Sequence, residues 1–257
     1  MSEFCTVERE GPLTIVTINR PEVMNSLHPA ANFELEAVFN DFVEDPEQWV
    51  AIITGAGDRA FSAGNDLKYQ AAGGKMSSPP NGFAGLTSRF DNDKPVIAAV
   101  NGIAMGGGFE IALACDLIIA AENAIFALPE PRVGLAALAG GIHRLPREIG
   151  MKQAMGMLLT GRRVAAEEGK ALGFVNEVVP AGTALEAAKK WAEQILECAP
   201  LSVRCSKQAA MEGMSADSLE GAIQGKYTGI STMLKSEDFV EGPKAFAEKR
   251  KPVWQGK

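Results

Sequence analysis

Four short runs dense in β-branched and aliphatic residues punctuate the first half of the chain: Leu13-Thr-Ile-Val-Thr-Ile-Asn19, Val50-Ala-Ile-Ile-Thr54, Val96-Ile-Ala-Ala-Val100 and Leu117-Ile-Ile-Ala-Ala121. Each is bounded by turn residues and too short for a helix, which predicts buried strands. Between the first two, Phe33, Ala37, Val38 and Phe42 recur at helical spacing behind Pro29, predicting a helix over 29–41. Beyond 181 the pattern changes. Residues 183–199, 202–214 and 215–234 read as helices, and no β-rich run follows 175–179. The pattern therefore predicts an α/β body over 1–195, then a helical region over 196–257 that packs back or docks onto a neighbouring subunit. One stretch, 71–85, is rich in Gly, Ser and Pro and has no periodicity. Its composition predicts an irregular surface loop, and loops of that length are often lids or binding loops.

Composition narrows the function classes. The chain has 257 residues, 46% of them hydrophobic and 22% charged, enough for a sizeable buried core. A formal charge of −7 argues against binding nucleic acid or an anionic membrane, both of which favour a basic face. The longest apolar stretch, 109–128, is interrupted by Glu110, Asp116, Glu122 and Asn123 and reads as core rather than as a membrane span. Acidic residues near Met1 replace the basic and apolar segments of an export signal, so a cytoplasmic location is expected. Cys5, Cys115, Cys198 and Cys205 are scattered, and His28 and His143 stand apart from them, so free thiols and no metal site are expected. Neither histidine has a partner in sequence that suggests a catalytic role.

Three segments could carry chemistry. Val50 to Ala60 ends in Gly55-Ala-Gly57-Asp-Arg-Ala60, the outline of a dinucleotide fingerprint. The context argues against it, because another turn follows where a phosphate-binding helix is required, and Asp58 would repel phosphate. The second segment is the small-residue loop Phe61-Ser-Ala-Gly-Asn-Asp-Leu67; the third is the triplet Gly106-Gly-Gly108 running into Phe109-Glu110. Glycines permit close main-chain approach to a ligand, so peptide N–H groups could bind it. Alternatively, the triplet simply packs backbone against a sheet. Glu110 and Glu130 could be a helix first-turn charge and a solvated loop charge, yet both border the most apolar part of the chain, where an unpaired charge is costly.

The order of Phe61-Ser-Ala-Gly-Asn-Asp-Leu67, Lys94-Pro-Val-Ile-Ala-Ala-Val-Asn-Gly102, Gly106-Gly-Gly-Phe-Glu110, Cys115-Asp-Leu-Ile-Ile-Ala120, Pro129-Glu130 and Gly140-Gly141 resembles the crotonase superfamily, especially its enoyl-CoA hydratases and carnitinyl-CoA dehydratases. The resemblance runs from Asn19-Arg-Pro21 to Arg250. It implies a spiral of repeated ββα units with a C-terminal α-helical region, assembly into trimers or pairs of trimers, and an acyl-CoA thioester as substrate. No cofactor is implied, since CoA is part of the substrate. By the same resemblance, the N–H groups of Ala63 and Gly107 form an oxyanion hole, and Glu110 and Glu130 act as base and acid on one water. Ala63, Asn65, Asp66, Leu67, Lys68, Phe246 and Lys249 are the implied CoA contacts. The basic tail segment holding Lys249 could equally be a solvated face.

The chain also departs from the pattern. Leu138 stands where dienoyl-CoA isomerases place aspartate, which argues against that activity, and Ala137 replaces a proline frequent in hydratases. Two other functions compete with hydration: a Δ3-Δ2 enoyl-CoA isomerase using one carboxylate, and a noncatalytic acyl-CoA- or RNA-binding scaffold. The intact glutamate pair favours hydration over the first, and the acidic charge balance weighs against the second.

Overall fold

The computed structural model describes residues 3–257. The four predicted runs form β2 (Leu13–Ile18), β3 (Val50–Gly55), β5 (Val96–Val100) and β7 (Leu117–Ala121); β1 (Cys5–Glu10) precedes them and β10 (Glu177–Val179) follows. Together they make a six-stranded sheet in the order β1-β2-β3-β5-β7-β10, parallel except for the β1–β2 hairpin. A second sheet was not legible in the sequence. It consists of β4 (Ala60–Ser62), β6 (Ile103–Met105), β8 (Ile125–Ala127) and the two-residue β9 (Val164–Ala165), in that order. Each pass of the chain adds one strand to the large sheet and the next to the small one: β3 then β4, β5 then β6, β7 then β8. This is the ββ(α) spiral that the resemblance implied.

Period-two alternation explains why these runs are apolar on every residue. Along β5, Val96, Ala98 and Val100 face a core between the two sheets, whereas Ile97 and Ala99 face a separate core on the outer side. Helix α7 (Ala184–Leu196) covers that outer side with Ala184, Ala188 and Ala192, whose small side chains let it lie close against Ile15, Ile52, Ile97 and Ile119. The inner core holds Phe109, Phe126 and Phe174, with ring centroids 5.0–5.2 Å apart.

Helix α1 (Pro29–Glu44) begins at His28, whose Nδ1 accepts the Ala31 N–H at 3.1 Å and whose ring packs edge-on against Phe4 and Tyr69. That is a structural role. One face of α1 carries polar residues at i, i+4 and i+8, and all three grip residues 81–89. Asn32 Oδ1 accepts the Ala84 N–H at 2.7 Å, Glu36 accepts from Asn81, and Asn40 Oδ1 accepts from Arg89 at 2.6 Å. The 71–85 stretch is therefore not one irregular loop. Its first residue closes α2 (Leu67–Ala71), and its last three, Phe83–Gly85, form a buried 3-10 turn in which Ala84 has a φ of 55°. Asn32→Ala would strand the buried Ala84 N–H. We expect a loss of about 1–3 kcal/mol, read as a lower urea midpoint.

The second half of the chain supplies α3 (Gly107–Ala114), α4 (Gly141–Ile149), α5 (Met151–Thr160), α6 (Ala166–Leu172), α8 (Pro200–Gly213), α9 (Leu219–Ile223), α10 (Thr228–Leu234) and α11 (Glu237–Glu248). The expected single helix over 215–234 is two short ones, interrupted at 224–227. Helix α8 joins the body through Arg204–Asp93 at 2.8 Å and Lys207–Asp116 at 2.7 Å. The last residues return to the α7–α8 junction, where Trp254 Nε1 donates to Glu197 O. Among the described residues no helix is long and apolar enough to cross a membrane. The four cysteines form no disulfide.

Candidate active site

The turn after β3 shows why the fingerprint-like glycines are structural. A Cβ at Gly55 would lie 2.4 Å from the carbonyl oxygens of Ala60 and Phe61, and Asn101 Nδ2 donates to the carbonyls of Gly55 and Gly57. These contacts close a tight β3–β4 turn with no helix behind it.

The chain then enters the Ser62–Leu67 loop, where most peptide N–H groups from Ala63 onward have an acceptor. The Ala63 N–H donates to Met24 O at 2.9 Å, Gly64 N–H to Ser62 Oγ at 3.1 Å, Asp66 N–H to Leu27 O at 3.1 Å, and Leu67 N–H to Asn65 O at 3.0 Å. Only Asn65 keeps a peptide N–H with no acceptor among the described residues. Its neighbours Gly64 and Asp66 supply both bonds of the bridge to Leu27, which leaves the Asn65 N–H directed to the opposite side. The expectation that Ala63 is an oxyanion donor is therefore corrected: one N–H carries one proton, and Met24 O holds it.

The glycine triplet lies against this loop. A Cβ at Gly108 would be 2.0 Å from Ser62 O, and one at Gly64 would be 2.7 Å from Gly107 N. Here the requirement for glycine is steric on both sides. Gly106 turns with φ 55° and ψ −127°, its N–H pairing with Ala127 O, and α3 starts at Gly107, whose N–H has no intrahelical partner. Phe83 closes the space above: a Cβ on Gly107 would lie 2.5 Å from its ring. Phe83 escaped the sequence reading because it sits among Gly, Pro and Ser residues without periodicity.

The two glutamates flank the same triplet. Glu110 is one turn into α3, buried, and its Oε1 accepts the Gly141 N–H at 2.9 Å. Burial raises its pKa to about 7; the Gly141 and Ala139 amides and the Arg144 guanidinium oppose the shift, while the Glu130 charge adds to it. Glu130 opens the 3-10 turn Glu130–Val133 and points back toward the triplet, with its Oε1 3.0 Å from where a Cβ on Gly106 would be. Burial raises its pKa too, and its Oε2 is buried with no hydrogen-bond partner among the described residues.

The full-length comparisons now have a site to attach to. The family described as enoyl-CoA hydratase/isomerase matches residues 8–257. The chain belongs to that family. Carnitinyl-CoA dehydratases from Citrobacter koseri and Salmonella typhimurium are each 45% identical to it over the whole of both chains. The crystal structure of enoyl-CoA hydratase from Mycobacterium tuberculosis H37Rv superposes with a TM-score of 0.93 at 38% identity, covering 99% of each chain. That of carnitinyl-CoA hydratase from Mycobacterium avium gives 0.79 at 44% identity over 100% of each.

The remaining predicted contacts lie on separate elements. Asp66 caps α2 by accepting the Tyr69 N–H and is paired with Arg20 at 3.0 Å. Burial would raise its pKa, but the Tyr69 amide and Arg20 outweigh it and hold the carboxylate below its ordinary range. Asp66 thus shapes the loop. Asn65 Nδ2 donates to Gln70 Oε1, leaving a buried, unpaired Oδ1. Leu67 and Lys68 are exposed at the start of α2. Phe246, 87% exposed, and Lys249 belong to α11 and its cap, and no hydrogen bond, ion pair or ring contact among the described residues joins them to 63–68. His143 is exposed on α4. Among the described residues no three His, Cys, Asp or Glu side chains are placed to hold a metal ion.

Proposed function

We propose that this protein adds water across the 2,3 double bond of an enoyl-CoA thioester, or removes it from a 3-hydroxyacyl-CoA. Family membership and two sets of full-length relatives support hydration or dehydration of CoA thioesters as the reaction class. One observation carries the mechanism: two partly dry carboxyl groups, Glu110 and Glu130, flank the two unpaired peptide N–H groups of Asn65 and Gly107.

The thioester carbonyl accepts from Asn65 and Gly107. Glu110, ionised, takes a proton from water as the water oxygen bonds to the β-carbon. The displaced π electrons move onto the carbonyl oxygen, where both N–H groups stabilise them more than they stabilise the ground-state carbonyl. Glu130, protonated, then delivers its proton to the α-carbon as the carbonyl re-forms. Dehydration runs the same steps backwards. The two carboxyls need opposite protonation states, and mutual repulsion in a desolvated site favours holding one proton between them. Because Glu110 must be ionised to act as base, kcat/KM for hydration falls as pH drops below about 7.

Exposed Lys68 and Leu67 are suited to the outer part of CoA. Phe246 and Lys249 fit that role from the tail of a second copy in a trimer or pair of trimers. The competing isomerase reading moves a proton between carbons and takes nothing from water. Turnover of a crotonyl-type thioester in heavy-oxygen water separates the two: hydration places the label on the product hydroxyl, and an unlabelled, shifted double bond would replace the hydratase reading with the isomerase one.

A further inference from the structure

The mechanism leaves Arg144 unused. This residue lies near the start of α4, half-buried, with its Nη1 donating to Thr87 O at 2.9 Å and its guanidinium 5.8 Å from the Phe90 ring. The side chain folds back over its own helix start, so a Cβ on Gly140 would lie 2.2 Å from Nη1. Thr87 and Gly140 each lead to one half of the site. Thr87 Oγ1 accepts the Phe83 N–H at 2.8 Å, and Phe83 is the ring that covers Gly107. Gly140 precedes Gly141, whose N–H holds Glu110.

We infer that Arg144 is a positioning residue: it ties the Phe83 wall of the oxyanion pocket to the α4 turn that holds Glu110, keeping acceptor pocket and base in register. The inference rests on the reading of Glu110 as the base. Geometry gives Arg144 two separable effects. Its hydrogen bond fixes the Thr87 carbonyl, and its charge faces Glu110 on α3. The other ionisable groups facing Arg144 are Cys115, at the end of α3, and Glu148, on its own helix; Glu110 also faces Glu130. Position 140 favours glycine on this account, because its φ of 106° strains a residue with a side chain.

The experiment compares Arg144→Met and Arg144→Lys with Arg147→Met, an exposed arginine on the same helix whose Nη1 only donates to His143 O. Hydration of a crotonyl-type thioester is followed against pH, with melting temperature recorded alongside. Misplacement of the base relative to the carbonyl predicts a kcat loss of about 10–100-fold in Arg144→Met, with KM moved much less. Removing a cation that favours the Glu110 carboxylate also shifts the acid limb of kcat/KM upward. Arg144→Lys retains charge without the planar fork, so the limb stays near its wild-type place while kcat remains low. Arg147→Met changes neither quantity.

A lower melting temperature with unchanged kcat and limb would make Arg144 structural only and overturn the inference. If Arg144→Met does not fold, Arg144→Lys decides alone: wild-type kcat in that variant overturns it. Glu110→Gln with near-wild-type turnover would instead sink the underlying reaction assignment, an outcome these arginine variants do not produce.

Discussion

Glu110→Gln is expected to lower hydration of a crotonyl-type thioester by about 10²–10⁴ in kcat, and Glu130→Gln to a similar extent, because each change deletes one partner of the proposed acid–base pair. Both amides are near-isosteric with the carboxyl they replace, so KM for the thioester changes little by comparison. The first variant has a second signature. Burial holds the Glu110 pKa up to about 7 from an ordinary value of 4.5, so the folded protein binds this proton more tightly than the unfolded chain does. The carboxylate therefore costs no stability below 4.5, costs progressively more as pH rises from there, and carries its full cost above about 7. Gln carries no such charge. Glu110→Gln should melt higher than the parent in mildly alkaline buffer and show no such gain in acid. A variant that is less active and more stable is the mark of a group kept for chemistry; near-wild-type turnover in both variants would end the assignment.

The proposed oxyanion hole gives the other large expected effect. Peptide donors cannot be removed by changing a side chain, but Gly107 is the first residue of α3, a position where proline fits and where its missing N–H disturbs no helix bond. Any substituent here meets the Phe83 ring at 2.5 Å, so Gly107→Ala is the matched control: it displaces the ring and keeps the N–H. Gly107→Pro should fall below Gly107→Ala by about 10²–10³ in kcat, the usual loss for one oxyanion donor. Equal activities in the two would show that the Gly107 N–H does not bind the developing charge. The second proposed donor is Asn65 rather than Ala63, because the Ala63 N–H is already committed to Met24 O at 2.9 Å.

In the proposed reaction the glutamates and N–H groups touch substrate, whereas Asn32, Glu36 and Asn40 on α1 and Arg144 on α4 hold the 81–89 segment that carries Phe83. The irregular appearance of 81–85 in sequence therefore hides an anchored segment: polar contacts replace apolar periodicity as the source of order.

By itself, the sequence determined the large sheet and the spiral's family, and it singled out Glu110 and Glu130, the carboxylates that lie beside the glycine triplet. Strands buried on both faces must be apolar at every position, so β2, β3, β5 and β7 announce themselves as continuous runs, and the glycine and glutamate motifs occur in an order that few families share. Tertiary structure alone decided the rest. Strands of three residues, such as β4 and β6, are too short for any period to register. Which N–H of the Ser62–Leu67 loop stays free depends on Met24 and Leu27, some forty residues earlier in the chain. The working state of Glu110 is likewise set by burial beneath Gly141 and by the nearby charge of Glu130, since desolvation and Coulomb interactions act through space and leave no trace in local spacing.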